Sequence, residues 1–459
     1  MEICPSGKCT ACAACLNACP CGAIEMREDS FGELHPVVCA DKCRQCGLCQ
    51  KTCPVNSPMA FRRPAKCWAA WTTDVAWRAE CASGGLATRL ARYVVENKGG
   101  VIVGTAYDGT MTPRVVFAES LSEIARFKGS KYVQSIVSNN TYARVRDHLN
   151  SGRWVLFSGT PCQVAGLKSF LGRDFDHLVT VDILCHGVSP VRYFKEELKS
   201  LSKTHGITDI ANVRFRGNDD DNSRLSLLDR ILGNYNSNNF RFTVWGLAPD
   251  GKPKRLYSGD STRNYYLAGF LLGVSLRENC YSCAYARPER VSDITLGDFI
   301  NLGKSEPFSH PRENVSVVLT NTSRGERFFS EAMESDGALV AVERQFEERL
   351  SYPFSLVKSF PRHPLNAKFR RLYVESGYVQ AIRRTLRFSL FKSRIFRRME
   401  HFSRLPVYAL DRIKRRICCA NGPINQPTTK SCPTNSPLPI ASAPPRPRTR
   451  PDSPTSSRW

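Results

Sequence analysis

The chain has 459 residues, a formal net charge of +23 and a hydrophobic content of 42%. This length exceeds one ordinary domain, so we expect two or three domains with real cores. The start Met1–Cys4 does not resemble a secretory signal, and no run of about 18 apolar residues predicts a membrane-spanning helix. With 20 cysteines and no sign of export, the composition favours a reducing cytoplasm.

Eight cysteines near the N-terminus form two runs with the same spacing, C-x2-C-x2-C-x3-C-P. The runs are Cys9, Cys12, Cys15 and Cys19 before Pro20, and Cys43, Cys46, Cys49 and Cys53 before Pro54. This is the spacing of bacterial two-cluster ferredoxins, in which the fourth cysteine of each run ligates the other cluster. We therefore predict two 4Fe-4S clusters, held by Cys9, Cys12, Cys15 and Cys53, and by Cys43, Cys46, Cys49 and Cys19.

Two alternatives fit this cysteine spacing less well. A zinc ribbon normally uses two C-x2-C pairs rather than two runs of four. A disulfide scaffold requires an oxidising compartment. Cys4, Cys21 and Cys39 are additional to the pattern and receive no role.

The order of predicted elements divides the chain into five parts. They are a two-cluster ferredoxin domain (1–55), a linker (56–66), an α/β domain (67–360), a basic helical extension (361–419) and a Pro/Ser/Thr-rich tail (420–459), disordered from Asn421 on. The α/β domain begins with strands and helices at 67–72, 85–96, 101–107, 114–118, 122–127, 141–149, 154–157, 161–171, 178–184 and 191–201. Asn-, Asp- and Gly-rich segments at 217–225 and 233–240 predict loops, and further strands are expected at 293–296 and 315–320. The predicted fold is thus α+β or α/β: a bacterial-type ferredoxin fold followed by a mixed-sheet domain.

Two segments of the α/β domain have features that suit an anionic ligand. Ser83, Gly84 and Gly85 open a helix, where backbone N–H groups can approach a phosphate, although an ordinary N-cap turn fits equally well. Lys128–Tyr132 combines two cations, a glycine and an aromatic ring. This segment either holds an anionic cofactor and stacks on its ring, or is an ordinary basic loop.

Three further segments of this domain carry soft ligands. Cys162 lies in the first turn of a predicted helix, where the helix dipole favours a thiolate. Cys185 follows the next strand at the same sheet edge, and Cys280 and Cys283 form a C-x2-C pair. We predict that these four hold a third 4Fe-4S cluster; the alternative is buried structural cysteines plus a zinc or redox pair.

Residues 383–416 are strongly basic and contain interleaved aromatic residues. The segment contains twelve Lys or Arg residues, and its only acidic residues are Glu400 and Asp411. This pattern predicts a basic amphipathic helix pair. It is either a solvated basic surface or a docking site for a membrane surface or an acidic partner. Nucleic acid is the least favoured partner, because no helicase or nuclease motif accompanies the charge.

Five ordered motifs resemble the beta subunit of coenzyme F420-reducing hydrogenase over residues 60–360. They are Ser83–Gly85, Gly129–Tyr132, Gly159–Gln163, Cys185–Gly187, and Cys280-x2-Cys283 with the following Asp293–Asp298. The N-terminal ferredoxin pattern resembles the bacterial branch of this family, some members of which occur with polysaccharide-biosynthesis functions.

This resemblance implies a flavin-binding domain with an iron–sulfur cluster beside FAD, and hydride exchange with coenzyme F420. Relatives also reduce chlorophyll-type tetrapyrroles. Flavin-binding residues would be Ser83, Gly84, Gly85, Lys128, Ser130, Lys131, Tyr132, Gly159 and Thr160. Cys162, Cys185, Cys280 and Cys283 would hold the cluster.

These features predict an iron–sulfur flavoprotein oxidoreductase. It would receive electrons from a ferredoxin-like donor or partner redox subunit and deliver two to coenzyme F420 or another acceptor. His186 is a candidate proton donor, but a histidine beside a ligand more often orients a site. The alternative function is a non-catalytic relay subunit that feeds a partner enzyme.

Overall fold

The structure is a computed structural model that describes residues 2–216, 240–248, 250–310 and 315–420. The loops expected at 217–225 and 233–239 and the tail beyond Asn421 lie outside the described residues. Phe240, the last residue of the second expected loop, instead begins a strand.

The main body of the chain is built on an eight-stranded mixed sheet. Its strands are β3 (Lys66–Thr72), β4 (Val101–Tyr107), β5 (Pro113–Ala118), β6 (Val155–Gly159), β7 (Leu178–Ile183), β11 (Ile294–Asp298), β12 (Ser316–Thr320) and β13 (Leu339–Arg344). The order across the sheet is β13-β3-β12-β11-β7-β6-β4-β5. The four central strands β11, β7, β6 and β4 are parallel, and the outer strands pair antiparallel. The mixed sheet predicted from the sequence is confirmed.

Parallel strands place their carboxyl ends at one edge of the sheet, where open α/β sheets bind ligands. The segments that follow β6, β7 and β11 therefore meet at this edge. They carry three of the sequence motifs noted above, around Thr160, Cys185 and Asp298.

Helices cover the sheet and join its strands. They are α3 (Val75–Ala79), α4 (Leu86–Lys98), α5 (Leu121–Ile124), α6 (Thr141–Asn150), α7 (Pro161–Leu171), α8 (Val191–His205), α9 (Tyr265–Leu271), α10 (Ser323–Ser335) and α11 (Phe346–Leu350). The start of α7 follows from local chemistry: Pro161 occupies the first turn, and Thr160 and Gln163 form a capping box.

The N-terminal module contains a hairpin and two short helices. Its elements are β1 (Ile24–Glu28), β2 (Leu34–Val38), α1 (Ala14–Ala18) and α2 (Leu48–Lys51). The module packs on the main body through α1, which contacts α6 and α7. The buried Tyr142 hydroxyl fixes this contact by donating to the Cys12 carbonyl at 2.7 Å and to the Gln163 carbonyl at 3.2 Å. The two-cluster ferredoxin fold and the body thus share one packed unit, Met1–Phe396.

A second sheet of three antiparallel strands shares its core with the last helix. The strands are β8 (Ile210–Arg216), β9 (Phe240–Leu247) and β10 (Pro253–Asp260), and the helix is α12 (Asn366–Ala420), interrupted at Gly377. Phe369, Tyr378 and Leu386 are buried against Phe215 and Phe242.

The segment 383–416 therefore belongs to one helix, and the expected helix pair is wrong. The interruption lies upstream at Gly377, whose positive φ of 73° suits glycine. The domain boundary expected near residue 360 stays a prediction. Residues of α12 beyond this point contribute to the core around the second sheet. No helix in the described ranges has an apolar stretch long enough to cross a membrane.

Candidate functional site

The eight ferredoxin cysteines line two separate cavities in the grouping expected from their spacing. The first ferredoxin site contains Cys9, Cys12, Cys15 and Cys53, and the second contains Cys19, Cys43, Cys46 and Cys49. Two cysteines without a predicted role join them: Cys4 lines the first cavity and Cys21 lines the second. The chain crossing that brings the fourth cysteine of each run to the other cavity is therefore present in the fold.

Four cysteines of the main body line a third cavity of about 40 Å³, which we call the body site. Cys162 comes from the first turn of α7, Cys185 follows β7, and Cys280 and Cys283 lie in and after the 3-10 turn Glu278–Ser282. Gly187 allows this crowding, because its φ is +124° and a Cβ there would lie 2.8 Å from Leu276 Cδ1.

Within the described residues, no group of three or more His, Cys, Asp or Glu side chains comes close enough to hold one metal ion. This holds equally for both ferredoxin sites and the body site. Each of the three sets of cysteines lines its own cavity.

The body-site cysteines lie in a desolvated environment that opposes free thiolates. Burial raises the pKa of Cys162 to about 11 and of Cys280 to about 12, and it raises the pKa of Cys185 well above its usual value. The thiolate that the helix dipole was expected to favour at Cys162 is thus not favoured without a ligand, even though Thr160 Oγ1 lies 3.1 Å from its sulfur. A bound cationic metal centre would reverse this, because coordination deprotonates thiols.

The body site adjoins the first ferredoxin site. Thr10 and Ala11 line both cavities, so a single stretch of backbone separates them. Burial raises the pKa of Cys12 and of Tyr142, and the nearby Cys162 sulfur raises both further.

A cavity of about 620 Å³ opens at the carboxyl edge of the sheet, and we call it the large cavity. Its size lies within the range of about 300–1,000 Å³ typical of cofactor pockets. Eight of the nine expected flavin-binding residues line it, namely Ser83, Gly85, Lys128, Ser130, Lys131, Tyr132, Gly159 and Thr160. Gly84 does not. Its N–H donates to Ser316 Oγ at 2.9 Å, and a Cβ there would collide with the Ala70 carbonyl.

One end of the large cavity suits an anion. The first turn of α4 faces it, with the dipole of a 13-residue helix behind Gly85. Lys128 and Lys131 lie in the same wall; Lys128 pairs with Glu80 and stands 4.0 Å above the Trp77 ring.

Lys131 is the more desolvated cation. Burial, with Arg214 and Arg126 nearby, lowers the pKa of Lys131 to about 7. Its Nζ lies 3.1–3.3 Å from four backbone carbonyls, those of Arg126, Phe127, Lys128 and Gly129. A bound anion would favour the ammonium form.

Tyr132 does not offer a free ring on both faces. It stacks on Phe270 with ring centres 4.6 Å apart and planes 7° from parallel. The segment Lys128–Tyr132 therefore lines the cavity and also packs in the core.

His186 lines both the body site and the large cavity but is held in a neutral state. Its Nε2 lies 3.1 Å from the Phe270 carbonyl, and its ring lies 3.9 Å from Phe360. Burial lowers the pKa of His186 to about 4. A neutral imidazole tied to a carbonyl favours the orienting role over the proton-donor role.

Sequence reasoning missed two arginines in the wall of the large cavity. Arg216 makes a bidentate pair with Asp298 at 2.7 and 2.9 Å, and Arg349 donates to the Asp298 carbonyl at 3.1 Å. Asp298 belongs to a quoted motif, but no local pattern marks its partners, which lie 82 and 51 positions away.

Three family models match the chain. Residues 67–140 match the family model for the N-terminal part of the coenzyme F420 hydrogenase/dehydrogenase beta subunit, and residues 152–343 match that for its C terminus. Residues 8–57 match a 4Fe-4S dicluster domain. No curated protein matches the chain.

A solved structure of the F420-reducing [NiFe] hydrogenase complex from Methanosarcina barkeri is similar to the chain at 17% identity. The match has a TM-score of 0.39 and covers 71% of this chain and 92% of that one. The two beta-subunit matches together span more than half of the sequence. The chain therefore belongs to the coenzyme F420 hydrogenase/dehydrogenase beta-subunit family, as an iron–sulfur electron-transfer member with an N-terminal 4Fe-4S dicluster domain.

Proposed function

We propose that this protein is an iron–sulfur flavoprotein oxidoreductase with three 4Fe-4S clusters and one FAD. The observation that carries the proposal is the shared wall between the body site and the large cavity. Cys185, His186 and Gly187 line both, as do Thr160 and Gln163. A cluster in one cavity would therefore lie next to a cofactor in the other.

Each cavity has residues that fit the group assigned to it. The body site supplies four thiols around a hollow, the same arrangement as in the two sites of the dicluster domain. Bound clusters would supply single electrons at low potential, and a bound flavin would collect two of them for hydride transfer.

The residues of the large cavity position an anionic cofactor. The α4 N-terminus with Lys128 and Lys131 would hold the diphosphate of FAD. Arg216, paired with Asp298, adds a guanidinium to the wall of the same cavity. His186 lies at the boundary between the two cavities. Its contact with the Phe270 carbonyl holds its ring in place, and the imidazole stays neutral.

The electron donor is a ferredoxin-like protein or a partner redox subunit, and the acceptor takes two electrons. Coenzyme F420 or a substrate of polysaccharide biosynthesis is the proposed acceptor, with a cytoplasmic location. The basic segment 383–416 stays a prediction as a docking surface for an acidic partner or a membrane surface. Among its described side chains, Phe388 and Phe391 are 65% and 59% exposed.

Anaerobic purification with iron, sulfide and flavin quantification tests the proposal. Three cubes and one flavin require about twelve iron and one FAD per chain. Cys185→Ser should lower the iron content by about four, while the matched change Cys67→Ser, at a buried cysteine on β3 outside all four cavities, should not. About eight iron in the unaltered protein would refute the third cluster.

The same experiment separates the enzyme from a relay subunit. Tight FAD together with reduction of a soluble acceptor supports the enzyme. Full iron content without FAD, after reconstitution with excess flavin, would refute the flavoprotein and leave the relay.

A further inference from the structure

Arg277 is a fully buried arginine placed between the first ferredoxin site and the body site. Its guanidinium donates to the Cys9 and Leu34 carbonyls at 3.2 and 3.1 Å, in the N-terminal module. It also donates to Gln134 Oε1 at 2.9 Å and Asn279 Oδ1 at 3.2 Å, in the main body. Gln134 and Asn279 line the body site, and Cys9 lines the first ferredoxin site.

All four acceptors of Arg277 are neutral. Within the described ranges, Arg277 forms no ion pair with a carboxylate, although it is 0% exposed. The adjacent Glu278 is engaged elsewhere, because it pairs with Arg362 and Arg370. A buried charge without a counter-charge is costly, and buried charges are therefore normally paired.

Another buried arginine illustrates the usual solution. Arg89 lies on α4 outside all four cavities and pairs with Asp74 at 2.7 Å and Asp336 at 3.3 Å. Arg277 has hydrogen bonds of similar length but no carboxylate. The groups that surround Arg277 in the loaded protein are therefore the candidates for the anion that balances its charge.

The surroundings of Arg277 are two sets of cysteines. A 4Fe-4S cube with four thiolates is a net anion, and the net charge around a cluster is one determinant of its potential. Among the described residues, Arg277 makes no hydrogen bond to a residue that lines the second ferredoxin site.

We propose that Arg277 is the fixed counter-charge shared by the first ferredoxin cluster and the body cluster, raising the reduction potential of both. The claim about the body cluster rests on the proposed function, which includes that third cluster. The claim about the first ferredoxin cluster rests on the dicluster domain alone. Reduction adds a negative charge to a cube, so a fixed cation stabilises the reduced form. A unit charge at about 10 Å and an effective dielectric constant of about 20 changes such an equilibrium roughly tenfold.

Three variants of the full-length protein test this role by anaerobic redox titration followed by electron paramagnetic resonance. Arg277→Gln removes the positive charge, and Arg277→Lys keeps it with fewer hydrogen bonds. Gln134→Glu places a carboxylate beside the Arg277 guanidinium with little change in side-chain shape. We expect Arg277→Gln and Gln134→Glu to lower the potential of both clusters. A tenfold fall in the one-electron equilibrium constant corresponds to about 59 mV.

The pattern across variants and clusters decides the outcome. Support requires that Arg277→Lys stays near the unaltered protein and that the second ferredoxin cluster does not shift in any variant. Unchanged potentials in Gln134→Glu would overturn the proposal, as would an equal shift of all clusters in Arg277→Lys and Arg277→Gln. If Arg277→Gln loads no iron, Gln134→Glu and Arg277→Lys decide.

Two controls keep the possible failures apart. Arg89→Gln removes a buried guanidinium away from the clusters and should destabilise the fold without shifting any potential. If the unaltered protein holds only about eight iron, the third cluster of the proposed function fails. The potential of the first ferredoxin cluster then still decides the role of Arg277.

Discussion

Gly166, in the middle of α7, lies where Cys12 of the N-terminal module packs against this helix. A Cβ at this position would lie 2.9 Å from Cys12 Cβ, 3.1 Å from Cys12 Sγ and 3.1 Å from the Tyr142 hydroxyl. Carbon atoms in good contact are about 3.5–4.0 Å apart. Gly166→Ala therefore requires Cys12 to retreat by about 1 Å.

Two opposing energies follow from this substitution. Alanine in a helix interior is about 1 kcal/mol more favourable than glycine. Overpacking a tight contact costs about 1–3 kcal/mol. We expect a net loss of up to about 2 kcal/mol. The larger effect falls on Cys12, because metal sites require ligand distances within about 0.2 Å.

The assay is the rate of iron release to a chelator under anaerobic conditions. Gly166→Ala should release about four iron per chain faster than the unaltered protein, and the remaining iron should leave at the original rate. Gly7→Ala is the matched control, because a Cβ at Gly7 has nothing within 4 Å. Identical release curves for Gly166→Ala and the unaltered protein would show that the close approach does not constrain Cys12.

Three further predictions concern the ligand sets and the titration of buried groups. Cys53→Ser should lower the iron content by about four, whereas Cys4→Ser, in the same cavity, should leave it unchanged. Affinity for FAD, measured by fluorescence quenching, should weaken as the pH rises above about 7, because Lys131 loses its proton, and Lys131→Met should remove this dependence. Glu197→Gln should raise the urea midpoint at pH 8, where it removes a destabilisation of about 3 kcal/mol, but not at pH 4.5.

The sign for Glu197 follows from its raised pKa of about 7, caused by burial. Below about pH 4.5 the Glu197 carboxyl group is protonated in both the folded and the unfolded chain. This group therefore destabilises the fold least in that range. As the pH rises through 7, the folded state must bury a charge whose hydrogen bond comes from Asn264 Nδ2 at 2.9 Å. Glutamine keeps this acceptor without the charge.

Each of these predictions has a clear contrary result. Equal iron loss in Cys4→Ser and Cys53→Ser would contradict the ligand assignment. FAD affinity that is constant from pH 6 to 9 in the unaltered protein would contradict the role of Lys131. A lower urea midpoint for Glu197→Gln at pH 8 would show that the carboxylate stabilises the fold.

Local spacing in the sequence was sufficient for the elements whose chemistry is local. The two cysteine runs predict their own wiring, because short gaps and the position of the fourth cysteine determine which thiols can converge. The start of α7 follows from Pro161 and the capping pair Thr160 and Gln163, all within four residues. The family motifs also mark the wall of the large cavity, with Gly84 as the exception, since its neighbours on β3 and β12 are distant in sequence.

The tertiary structure alone decided which distant residues complete the sites. Arg277, Arg216 and Arg349 each reach at least one partner that lies 51 to 268 positions away, so no periodic pattern marks them. The neutral state of His186 likewise depends on burial against Phe270 and Phe360, which adjacent residues do not specify. Spacing along the chain thus determined which ligands this protein offers, whereas desolvation and long-range packing decided their charge and their neighbours, because both arise only when distant segments exclude water together.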